Sequence, residues 1–204
     1  MRKFVDRLGV AGWCALVLIG FALGSLGAPA PASAQNEVEN PPDPYVHKVT
    51  NVALPENIPG FQRHRVVEFD AEGRDTGIIY RPTDRVGEIT LYIYPRRGRS
   101  CEESFASSDA AVMQRGASVL TSEDVFSIEA LSGARQISRS YIVEPGGYGS
   151  EHAELISFLY VACPANTDFM VKYRGSYPSA EAARNIGIEQ KLFAGIDWAT
   201  LSSR

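Results

Sequence analysis

An α+β fold is what this sequence predicts: a single antiparallel β-sheet of six to seven strands, covered by two main helices in an α/β/α sandwich-like arrangement. Three observations lead there. Alternating apolar runs come in consecutive groups and do not trade places one-for-one with helical patterns, which argues against a doubly wound parallel sheet. The connections between those runs are short and carry Pro, Gly, Asn and Asp, as antiparallel neighbours require. Helix-start signals occur twice, at Ser100 and at Pro178-Ser179.

The chain opens as an export signal. Arg2, Lys3 and Arg7 precede an apolar stretch from Val10 to Leu26, which breaks at Gly27 and Pro29 before Ala32, Ser33 and Ala34. Small side chains at the first and third positions before a cut place the mature N-terminus at Gln35, so residues 1–34 read as a signal peptide. The alternative is an uncleaved anchor, because the stretch approaches the ~20 residues that span a bilayer. Gly20, Gly24, Gly27 and Pro29 weaken it as a permanent helix, so no stable membrane insertion is expected after cleavage. The expected location is periplasmic or secreted, away from nucleotide pools and reducing thiols.

Removing 34 of 204 residues leaves 170, the size of one domain. Three positive charges and one negative leave with the signal, taking the net charge from −4 to −6. Nucleic acid and anionic lipid both call for a net basic face, so neither is an expected main partner.

Each element follows in order. Residues 35–53 include QNEVENPPDPYV, whose prolines and acids leave few apolar groups to offset ordering entropy, and read as a flexible tether. The single domain then runs over 54–204. Arg63 to Phe69 alternates as a strand, with Arg65, Val67 and Phe69 on one side, and stops at the turn Asp70 to Gly73. Thr76 to Tyr80 is a second strand ended by Pro82. In the third, Ile89, Leu91 and Ile93 point one way and Thr90, Tyr92 and Tyr94 the other, until Pro95 removes a donor. Short turns make these three a meander.

Ser100 with Glu103 forms a capping box, and Cys101, Phe105, Ser108, Val112 and Met113 recur at helical spacing, so a helix is predicted from Cys101 to Arg115. Ser118 to Glu129 is ambiguous, with a short strand expected near Val125 to Glu129. Three extended runs follow: Arg135 to Glu144, Glu151 to Cys163 and Asp168 to Arg174. The loop Pro164 to Thr167 is short enough to make the last two a hairpin. Glu151 to Cys163 is apolar on both faces, so it should be central and covered on both sides. A final helix opens at Ser179 with Ala182, Ala183, Ile186, Gln190 and Phe193 inward, and Trp198 packs its end onto the domain.

This order of elements, with LPENIPGFQRH, GEITLYIYPRRGRSCEESF and FMVKYRGSYPSAEAAR, resembles the PsbP-like group of extracytoplasmic α/β/α domains. The resemblance implies a docking or accessory factor and supplies no active-site motif.

Among residues that carry chemistry, Cys101 and Cys163 are the two cysteines left after export, and an even count in an oxidising compartment favours pairing. A bridge would close a loop of about 62 residues, worth ~4 kcal/mol on the chain-entropy estimate. The alternative makes Cys101 a nucleophile at a helix N-terminus with His47, His64 or His152 as base. Glu151, His152 and Glu154 invite a metal, but two ligands on one strand face do not make a site; no metal and no cofactor is expected. No GxSxG elbow is present, and PGGYGS at Pro145 to Ser150 reads as a hairpin tip.

The surface feature that suggests binding is Tyr92 and Tyr94 followed by Arg96, Arg97 and Arg99. Guanidiniums beside a helix N-terminus suit a carboxylate, a phosphate or an acidic partner; the ordinary alternative is a solvated loop. The leading expectation is therefore an exported, non-catalytic accessory domain that binds another envelope protein or an acidic component. The alternatives are a small-molecule binder with an apolar pocket between sheet and helix, and a thiol-dependent or hydrolytic enzyme.

Overall fold

The computed structural model describes residues 36–121, 126–147, 153–185 and 187–202. The predicted signal peptide, and Glu151 and His152 of the weighed metal cluster, lie outside the described residues.

Four two-residue strands come first: β1 (Asn36–Glu37), β2 (Tyr45–Val46), β3 (Ala53–Leu54) and β4 (Asn57–Ile58). The expected meander follows as β5 (Phe61–Glu68), β6 (Thr76–Pro82) and β7 (Glu88–Pro95). Helix α1 (Cys101–Met113) leads to β8 (Ala117–Thr121), and then to β9 (Ala134–Val143), β10 (Leu155–Pro164) and β11 (Phe169–Pro178). Helix α2 (Ile188–Ala194) comes near the end of the chain.

The main sheet is antiparallel and nine-stranded, ordered β1-β5-β6-β7-β11-β10-β9-β8 with β4 beside β5; β2 and β3 pair as a separate ribbon. This corrects the expected six to seven strands under two main helices. The protein is mostly β, with one helix of 13 residues and one of seven among the described residues. The predicted final helix breaks because Gly187 takes a left-handed conformation, with φ 72°. A 3-10 segment, Ser179–Asn185, precedes that break and α2 follows it. Gln190 does not join the inner stripe: its side chain accepts the Glu129 N–H, while Ile188, Leu192 and Phe193 are buried.

Two further expectations change. The strand placed near Val125 to Glu129 is found earlier, as β8, and Glu129–Leu131 is a 3-10 turn. Edge pairing with β9 creates β8, and most of its side chains are exposed, so period-two alternation left no signal. The segment read as a tether packs against the sheet from residue 36 onward. Tyr45 and Val52 are buried, the Tyr45 hydroxyl donates to Glu68 at 2.8 Å, and Arg63 reaches the carbonyls of Leu54 at 2.6 Å and Pro42 at 2.7 Å. Long-range polar anchors hold a stretch whose local composition argued against order.

The sheet separates two apolar layers. On one side Ile78, Leu91, Tyr160 and Tyr173 pack under Leu192, Phe193 and Trp198. Trp198 stacks on Phe193 with ring centroids 5.4 Å apart. On the other side Phe105 and Val112 of α1 cover Tyr141, Leu159 and Val161. Strand β10 is buried on both faces, as its sequence predicts. Met113, counted in the inner stripe of α1, is exposed.

Candidate functional site

Helix α1 packs chiefly on β8, β9 and β10 and reaches Met170 of β11 and the edge of Tyr94, so among the described residues its main cover lies off the Tyr92–Lys172 part of β7 and β11. Strand alternation sends Thr90, Tyr92 and Tyr94 of β7, and Lys172, Arg174 and Ser176 of β11, toward that same face. All six are half-buried, in contrast to Leu159 and Val161 beneath α1, which are fully buried. Lys172 lies directly opposite Tyr92 in the ladder, with Gly77 of β6 opposite Tyr92 on its other side.

Gly77 shapes the floor. A Cβ there would stand 3.0 Å from Phe69 Cε2 and 3.2 Å from Tyr92 Cε1, so the missing side chain lets both rings lie across it. Their centroids are 6.2 Å apart and their planes 32° from parallel, giving a tilted aromatic platform. The Lys172 ammonium sits 4.1 Å from the Tyr92 centroid and 5.1 Å from that of Tyr94, within range of a cation–π attraction. A hollow of about 350 Å³ results, lined by Phe69, Asp70, Asp75, Tyr92, Tyr94, Arg97 and Lys172. A second, of about 270 Å³, shares Tyr92 and is lined by Thr90, Arg115 and Arg174 among others.

The groove gathers several cations in an acidic chain. Eight of the described lysines and arginines, Arg81 and Arg139 among them, pair with carboxylates. Lys172, Arg97 and Arg115 have no carboxylate at ion-pair distance among the described residues. Burial pushes the Lys172 ammonium down to about 8, Arg174 and Arg115 add repulsion, and Asp75 partly opposes them. Burial raises the Asp75 carboxyl above the usual aspartate range, against the pull of Lys172. The Tyr94 hydroxyl is pushed up to about 12, chiefly by burial.

The five residues singled out in the sequence do not all meet. Tyr92, Tyr94 and Arg97 line the groove. Arg97 is held there in the left-handed region, φ 56°, beside Gly98 at φ 78°. Arg96 turns away: its guanidinium donates to the Thr167 carbonyl at 2.7 Å and its N–H to the Asp168 carbonyl at 2.7 Å, tying the loop to the β10–β11 turn. Arg99 is exposed and lines neither hollow. Sequence reading missed Lys172, Asp75, Phe69 and Gly77. A signal existed for Lys172: it stands mid-strand in FMVKYRGSY, on the opposite face from Val171 and Tyr173.

The rival sites are spoken for. Cys101 and Cys163 form a disulfide, with Cα atoms 5.9 Å apart, so the helix start carries no free thiol. His47 is buried, its Nδ1 accepting the Thr50 N–H at 3.1 Å. A larger cavity of about 520 Å³, bordered by Leu131, Asn166, Asp197 and Trp198, lies among loops. There Asp197 caps the Ala199 N–H, and the Trp198 indole donates to the Phe193 carbonyl. Comparison with protein-family models and with curated proteins returned no match.

Proposed function

We propose that this chain is an exported, non-catalytic binding domain that captures an anionic envelope component in the groove between β7 and β11. One observation carries the reading: in an acidic protein, the half-buried Lys172 and the exposed Arg97 and Arg115 gather around a tyrosine floor with no carboxylate at ion-pair distance among the described residues. The half-buried Lys172 charge, only partly offset by Asp75, costs stability unless something outside the chain meets it. An anionic group supplies that compensation, and guanidiniums add directional donors. The export premise rests on the N-terminal pattern and on the Cys101–Cys163 disulfide, which suits an oxidising compartment.

The test is retention of the processed protein on a carboxylate-bearing resin at pH 7, where its own net charge is negative. The double variant Arg97→Glu, Lys172→Glu should flow through. Arg184→Glu with Lys191→Glu, an equal charge change elsewhere, should still be retained. Equal loss from both pairs would reduce the groove to bulk electrostatics and remove the reading.

A further inference from the structure

Resting on that reading, we propose that the ligand of this groove is an acidic polysaccharide, a chain of hydroxylated sugar rings bearing carboxylates, and not an acidic protein segment. Asp75 separates the two. Its carboxylate is half-buried, lines the same hollow as Lys172, and has no hydrogen-bond or ion-pair partner among the described residues. A segment rich in Asp or Glu brings like charge to that oxygen. A sugar brings hydroxyl donors to it while its carboxylate meets Arg97 or Lys172. The groove therefore asks for a ligand that carries neutral donors and negative charge at close spacing, which describes a uronic acid unit.

The platform agrees. Sugar rings present flat C–H faces that pack on aromatic side chains, and Phe69, Tyr92 and Tyr94 border one hollow. The second hollow shares Tyr92 and adds the exposed Arg115, with Glu88, Thr90 and Ser176 beside it, so a second sugar unit meets a cation and further polar groups there. Both hollows share Tyr92 and lie along the same sheet face, a surface along which a polymer can run.

Binding of polygalacturonate, poly-L-glutamate and neutral dextran to the protein purified from cells expressing the full chain tests this. Polygalacturonate should bind more tightly than poly-L-glutamate of matched charge, and dextran weakly or not at all. Asp75→Ala should weaken polygalacturonate about tenfold, the loss of one charged hydrogen bond, while tightening poly-L-glutamate by removing repulsion. Asp75→Asn, which keeps an acceptor oxygen, should recover part of the loss, and an unchanged thermal midpoint shows both variants fold. If Asp75→Ala tightens both polymers, or poly-L-glutamate binds as well as polygalacturonate, the saccharide proposal falls and the anion-binding groove stands. Failure of both acidic polymers to bind overturns the two together.

Discussion

At the residue scale, two buried ionisable groups set opposite pH dependences. Lys172 has a folded value of about 8 against 10.5 in the unfolded chain. Below the folded value both states carry the proton, so the cost of the buried charge is present in full. Between about 8 and 10.5 the unfolded state holds more protons, and stability rises with pH as that cost is relieved. Capture of anions runs the other way, because the neutral amine offers no charge. Retention on the carboxylate resin should thus fall from pH 7 to 9, and Lys172→Met should remove that fall while raising the thermal midpoint at pH 7. Glu189 is raised chiefly by burial, and it accepts from the Tyr173 hydroxyl, which also shares a hydrogen bond with Tyr177. A raised carboxyl gives stability that is complete below its unfolded value and is lost as pH climbs through the folded one. Glu189→Gln keeps the acceptor without the charge; thermal unfolding followed upward from about pH 4 should show a flatter pH slope and, once the wild-type carboxyl is ionised, a higher midpoint.

At the element scale, α1 has the start its sequence announces. The Ser100 side chain accepts from the Glu103 N–H at 3.1 Å, and the Glu103 carboxylate accepts from the Ser100 N–H at 2.8 Å. Ser100→Ala should cost about 1 kcal/mol in urea unfolding. The meander β5-β6-β7 and the β10–β11 hairpin were legible for the same local reason: alternation and turn residues sit within a few positions of each other. Elements that lacked a local cause were not legible. β8 is made by its neighbour, α2 begins where Gly187 breaks a longer helix, and the ordered N-terminal strap depends on Glu68, 23 residues beyond Tyr45, and on Arg63, 21 residues beyond Pro42.

At the scale of the whole molecule, the disulfide links the start of α1 to the end of β10 across 62 residues of sequence. Reduction, or Cys101→Ser with Cys163→Ser, should lower stability by roughly 4 kcal/mol on the chain-entropy estimate. Thiol titration of the denatured, signal-cleaved protein should find no free thiol before reduction. Two reactive thiols at that stage would return Cys101 to consideration as a nucleophile. Without the bridge α1 keeps its apolar face and the Asp109 and Glu102 contacts to β9 but loses its covalent tie, so the layer over Leu159 and Val161 should lose protection from hydrogen exchange before the opposite layer does.

The sequence alone determined the antiparallel meander and hairpin, the capped helix, the central both-faced strand and the cysteine pair. Each rests on interactions between near neighbours or on counting. Only the tertiary structure decided that the main sheet has nine strands, that α1 packs chiefly on β8 to β10, and that Tyr92 faces Lys172 eighty positions on. Pairing β7 with β11 is a long-range register, and the groove exists because that register sets a lysine beside tyrosines over a glycine that belongs to a third strand. No local pattern encodes such a meeting, since its energy is realised only after the sheet has closed the chain on itself.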